Sequence, residues 1–196
     1  MAISASAMAA PSSNNSGYLT IGSVALEKPV LDINGKPSQK APDWVVEIAG
    51  EITKGNLEGF ETYSQLFDFH FEYSRTTDGH VANEMFTSAA IEHSEVYILI
   101  PAGTYTAKIR QALNTGKLID TITIKRLGNM TALKKPLQVL TYSDCLFTRA
   151  VQDKDWFAVA FRFTKVKEEN IENAQADEGQ AGQNVSEIDY SKVTSA

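Results

Sequence analysis

Residues 107–126, AKIRQALNTGKLIDTITIKR, carry two hydrophobic periods in succession. Up to Asn114 the apolar positions Ile109, Ala112 and Leu113 fall three and four apart, which predicts a short amphipathic helix. Thr104 stands where a cap is needed, so the helix is expected over about 104–114. Gly116 supplies a residue that can turn left-handed past its end. Beyond it the pattern alternates, with Ile119, Thr121 and Thr123 opposite Leu118, Ile122 and Ile124, as in a strand.

Alternation dominates the rest of the chain. Strands are expected at 18–26 (YLTIGSVAL), 44–52 (WVVEIAGEI), 94–100 (SEVYILI), 117–128, 136–151 and 156–167. The clearest is LFDFHFEYSR (66–75), with Phe67, Phe69, Phe71 and Tyr73 on one side and Asp68, His70, Glu72 and Ser74 on the other. Residues 136–151 are long enough to bend, and 86–93 fit neither period cleanly. Asn34-Gly35, residues 54–59, 76–85 and 152–155 read as turns or loops. About seven or eight strands with one helix predict a mainly β fold, a barrel or sandwich of antiparallel sheets.

Charge divides the chain. It has 24 acids and 18 Lys plus Arg, a net charge of −6. Seven acids and one lysine lie after residue 167, so the body before them is neutral. A neutral body with an acidic tail argues against nucleic-acid binding, which needs a basic face. The expected organisation is a flexible arm at 1–17, one domain at 18–167 and an acidic, disordered tail at 168–196, too poor in apolar residues for a core of its own. The arm, MAISASAMAAPSSNNSG, lacks the basic and apolar regions of a cleaved leader. No run of eighteen apolar residues exists, so no membrane insertion is expected. A lone Cys145 permits no internal disulfide, which fits a cytoplasmic protein, and its place in a strand favours a buried thiol over a covalent dimer.

Candidate chemistry is sparse. Cys145 and Asp144 are strand neighbours and should point to opposite faces. His70, His80 and His93, with Glu84 or Glu92, match no compact ligand spacing, so no metal is expected. PAGTYT before the helix has one glycine and no P-loop lysine, and no cofactor is expected. Glu47, Glu51, Asp68 and Glu72 lie on apparent outer faces as solvated acids, though a spatial carboxylate pair stays open. Trp44, Tyr63, Tyr73 and Tyr97 could line a sugar or peptide site in a β-sandwich binding module. The last body strand has a second face of Trp156, Ala158, Ala160, Arg162 and Thr164. Two readings stand: a central strand covered on both sides, or a subunit interface through Trp156, Ala158, Ala160 and Arg162.

The order YLTI, SRTTDG, IRQALNTGK, LIDTITIKR, YSDCLFTRAV and WFAVAFRFTKV resembles the haemolysin-coregulated protein (Hcp) family, the tube protein of type VI secretion, related to phage tail tubes. The likeness spans roughly residues 18–167 and rests mostly on 107–126 and 156–167. It implies a β-barrel of two antiparallel sheets with a helix on its side. It also implies a hexameric ring with a wide pore, stacked head to tail, and no enzyme activity. The implied partners are copies of the chain and the sheath, spike and effector proteins. Such a tube assembles in the cytoplasm and is expelled without a cleaved signal peptide. A tail tube of a phage or phage-like contractile particle is the neighbouring reading. The chain departs from the family in its long arm and tail, and in PAGTYT where a small polar lead into the helix is usual.

Overall fold

The structure, a computed structural model, describes residues 17–29, 43–50, 52–55, 57–75, 91–129, 134–171 and 183–190. Its strands are β1 (Tyr18–Ile21), β2 (Val24–Glu27), β3 (Trp44–Ile48), β4 (Ser64–Gln65), β5 (Asp68–His70), β6 (Tyr73–Arg75), β7 (Ile91–His93) and β8 (Val96–Pro101). After the helix α1 (Thr106–Thr115) come β9 (Ile119–Asn129), β10 (Lys134–Asp153), β11 (Trp156–Arg162), β12 (Lys165–Ile171) and β13 (Gln183–Asp189). Every pairing among them is antiparallel. The expected mainly β fold with one short helix is what forms.

The organising element is β10, a strand of 20 residues that serves two sheets. Its first half lies between β9 and β12, with Tyr142 opposite both Ile122 and Val166. Its second half pairs with β11, from Leu146↔Arg162 to Asp153↔Trp156. Between the halves Asp144 has φ 52, a left-handed conformation that Asp tolerates better than most residues. There its carboxylate accepts a hydrogen bond from the Thr164 hydroxyl at 2.7 Å. The bend anticipated in 136–151 therefore has a local cause. One sheet runs β4-β3-β9-β10-β12-β13 and the other β10-β11-β8-β5.

The two sheets enclose a common core. Val46, Ile122, Ile124, Leu140, Tyr142 and Val166 meet Ile98, Ile100, Phe157, Val159 and Phe161. Helix α1 adds Tyr105, Ile109 and Ala112 to the same cluster. Each such large apolar side chain contributes about 1.5–3 kcal/mol on burial. The outer side of the first sheet is mixed: Thr123 lies opposite Thr141 and Thr141 opposite Lys167 across three strands, while Val45 and Leu127 are buried with Phe60 and Tyr63 in a separate apolar cluster.

The stretch 156–167, expected as one strand, divides at Phe163-Thr164 into β11, which pairs with the second half of β10, and β12, which pairs with the first. Four further expectations change. The stretch 18–26 is a hairpin rather than one strand: Gly22, at φ 62, and Ser23 turn the chain, and Ile21 pairs with Val24. The stretch 66–75 is not one strand with a dry face; it breaks into β5 and β6. The Phe67 N–H and the Asp68 register both fall on Leu99, so two residues oppose one, and Phe67 turns away from the core that takes Phe69 and Phe71. Helix α1 starts at Thr106, with Tyr105 at the cap position and no side-chain cap; the Thr106 hydroxyl instead donates to the Gly103 carbonyl at 2.7 Å. Gly116 does close it, at φ 63, as the sequence predicts.

The fourth concerns the tail. Where disorder is expected from residue 168, β12 continues to Ile171 and β13 returns beside it, with Lys167↔Glu187 in register. An edge pair needs few apolar anchors. Val166 enters the core, and Ile188 and Tyr190 rest against it. The arm up to residue 16, the Asn34-Gly35 turn, and Glu51, His80 and Glu84 lie outside the described residues.

Candidate functional site

The face that the sequence marks out on β11 is covered by the chain itself. Hairpin β1–β2 lies on the outside of the second sheet, where Leu19, Ile21 and Leu26 contact Tyr97, Leu99, Trp156, Ala158 and Ala160. Phe67 meets Trp156 edge to face at 5.2 Å between centroids. The alanines leave room for a second layer to approach. Among the described residues no β-ladder joins the hairpin to the sheet beneath; polar ties fasten it instead. The Glu27 N–H donates to the Asp68 carboxylate at 2.7 Å, and Lys28 Nζ meets Asp153 at 2.8 Å.

Trp156, Ala158 and Ala160 are therefore buried (8%, 0% and 0% exposed), because the chain's own hairpin covers them. Of the two readings of this face, the strand covered on both sides describes these three. Arg162, at the end of β11, lies beyond the hairpin with its side chain 70% exposed.

Beyond the hairpin turn a polar recess of about 520 Å³ opens, lined by His93, Ser94, Glu95, Tyr97, Arg149 and Arg162. Two guanidiniums converge there on one carboxylate. Arg162 Nε lies 3.2 Å from Glu95 Oε1, and Arg149 Nε lies 3.8 Å from Oε2. The Tyr97 hydroxyl donates to Oε2 at 3.3 Å. Burial, then the Glu95 charge, hold the Tyr97 phenol above its ordinary range. Gly22 in the hairpin turn leans on Arg149; a Cβ there would sit 2.6 Å from a guanidinium nitrogen. Sequence reasoning finds Arg162 but misses Arg149 and Glu95, since Arg162 and Glu95 are 67 residues apart.

The other candidates do not converge. Cys145 is buried in the common core, and burial pushes its thiol up to about 12. Asp144 is engaged with Thr164. His70 is exposed near the Tyr97 ring, whereas His93 stacks on Phe163 at 4.6 Å and meets Tyr190 at 4.2 Å. Among the described residues no group of three or more His, Cys, Asp or Glu could hold a metal ion. Asp68 is tied to β2, Glu47 faces Tyr63, and Glu72 is exposed.

The aromatics proposed for a binding site are also dispersed. Trp44 packs on Phe69, Tyr73 on Phe71, and Tyr63 on Phe60 with Lys125 Nζ 4.5 Å above its ring. A second recess of about 370 Å³ runs along the end of α1, lined in part by Lys108, Gln111, Leu118 and Asp120, with Leu118 60% exposed. Among the described residues no helix is long and apolar enough to cross a membrane.

No protein-family model and no curated protein matches the sequence. Solved structures do share the fold. A type VI secretion system effector from Yersinia pestis aligns with a TM-score of 0.56 at 12% identity, covering 75% of this chain and 99% of its own. Hcp1 from Salmonella typhimurium aligns at 0.59 and 12% identity, over 76% of this chain and 95% of its own. Hcp1 from E. coli EAEC 042 aligns at 0.60 and 11% identity, over 76% and 99%. The chain thus has the fold of Hcp-type secretion proteins at a level of identity where fold alone is shared.

Proposed function

We propose that this protein is the structural subunit of a type VI secretion tube, acting by binding copies of itself rather than by transforming a substrate. One observation carries the reading: a type VI secretion system effector and two Hcp1 proteins share its fold, and the likeness spans 95–99% of the lengths of those three. The resemblance of 107–126 and 156–167 to the tube family, read from the sequence, points the same way. In this reading six copies close a ring and rings stack head to tail. Sheath, spike and effector proteins are the further partners, and the assembled tube passes from cytoplasm to exterior without a cleaved leader.

Heterologous contacts of this kind require two different complementary surfaces on each copy. The exposed recess at Arg162 and the edge of β13, which has no strand on its far side among the described residues, are surfaces of that sort. Negative-stain microscopy of the purified chain tests the reading. Annular particles, singly or in stacks, are expected; a chain that sediments as a monomer at high concentration overturns it.

A further inference from the structure

The described ion pairs are unevenly balanced. At the recess, Arg149 and Arg162 share the single carboxylate of Glu95. Glu95 is largely enclosed, with its side chain 12% exposed, while the two arginines are 56% and 70% exposed. Both contacts to Glu95 are made through Nε. A guanidinium held this way keeps terminal nitrogens for a second carboxylate, the partner its fork geometry fits best; Arg162 presents them most openly, whereas one terminal nitrogen of Arg149 packs against Gly22. The recess is one positive charge in excess and roomy enough for an acidic side chain.

The opposite imbalance lies on β13. Lys165 is joined to Asp189 at 3.6 Å, and Lys167, although opposite Glu187 in register, turns to Glu169. Glu187 is left exposed on a strand that has β12 on one side and no strand on the other among the described residues. Two positions earlier on the same face stands Val185, 53% exposed. Such an edge has backbone N–H and C=O groups that can pair with another chain, and the acid on it selects a partner of positive charge.

We infer that the Arg149–Arg162 recess of one copy receives Glu187 on the β13 edge of the next copy, with Val185 seated beside it. This inference rests on the self-assembly reading above and names the contact that carries it. The pairing is heterologous: each copy offers a recess and an edge, so the contact needs no two-fold axis and builds a ring where its rotation closes. The occupant is a second copy because the excess charge at the recess and the exposed acid are opposite in sign and borne by different surfaces of one chain. The long, exposed arginines make the contact steered and salt-sensitive.

A charge exchange tests it. Arg149→Glu with Arg162→Glu, and separately Glu187→Arg, should each lower assembly, read as the concentration at which half the chain sediments as rings, by about tenfold or more. The chain carrying all three substitutions should recover assembly, as should an equimolar mixture of the two variants, because each recess then finds an opposite charge. Thermal melts confirm that each variant is folded, and the substituted side chains are exposed. Variants that assemble like the wild type, or folded ones whose combination fails to recover, overturn the contact and leave the tube reading standing. A wild-type chain that never assembles overturns both.

Discussion

Strand β11 buries both of its faces, but in different company. On one side Phe157, Val159 and Phe161, followed by Phe163 just past the strand, enter the core shared by two sheets and the helix. On the other Trp156, Ala158 and Ala160 lie under hairpin β1–β2, which joins that sheet through no ladder among the described residues. The large residues face a volume that must be filled. The alanines face a layer that must come close. Equal burial therefore hides unequal roles: the first face holds the fold together, and the second fastens a cover to it.

Substitutions on the two faces should separate accordingly. The largest effect is expected for Phe161→Ala, which empties a site with no exposure and should cost about 3–5 kcal/mol in urea unfolding, as a single cooperative loss. Leu26→Ala, in the hairpin, removes less volume and should cost about 2–4 kcal/mol. It should also loosen the cover, read as a red shift of Trp156 emission before global unfolding. An equal loss at both sites with no early change in emission would show that the hairpin belongs to the main cooperative unit.

Ala160→Leu tests the close approach from the other direction. Overpacking beneath the hairpin should cost about 1–3 kcal/mol, where the same change in a loose layer would cost nothing measurable. Lys28→Ala removes a hydrogen-bonded ion pair that ties the hairpin to Asp153 and should cost about 1–2 kcal/mol, with faster amide exchange in β1 and β2.

Alkaline pH probes the inner side. Burial raises the Cys145 thiol to about 12 and also raises the Tyr105 and Tyr142 phenols, so the folded state favours their neutral forms. A raised folded value gives stability that is whole below the unfolded pKa and is lost as pH rises toward the folded one. Melting temperature should therefore hold to about pH 8 and fall above it, beginning near the unfolded thiol value and steepening near 10. Cys145 should resist disulfide reagents at pH 8 in the native state.

What could be read from the sequence depended on how local the cause was. The alternation in 94–100, the helix closed by Gly116 and the length of the 136–151 strand are encoded within a few residues, and they form; the alternation of 156–167 holds only to Arg162, after which the chain passes into β12 in the other sheet. Hairpin β1–β2 carried its own signal in Gly22-Ser23, a two-residue turn between alternating apolar positions that can also be read as one strand. The bulge at Phe67 and Asp68 arises from pairing with Leu99, more than thirty positions along the chain, and no local pattern announces it. The β12–β13 pair was hidden by composition, because an edge ladder solvates most of its side chains. Arg162 showed on its strand, while Arg149 and Glu95 join it only through the fold.

The bend at Asp144 has a mechanical consequence. Tension applied to either sheet reaches the other through the covalent backbone of one continuous strand, not through the shearing of side chains across an apolar layer. A particle built from such units and driven lengthwise by force would strain first at the seams between copies, while each copy travelled intact.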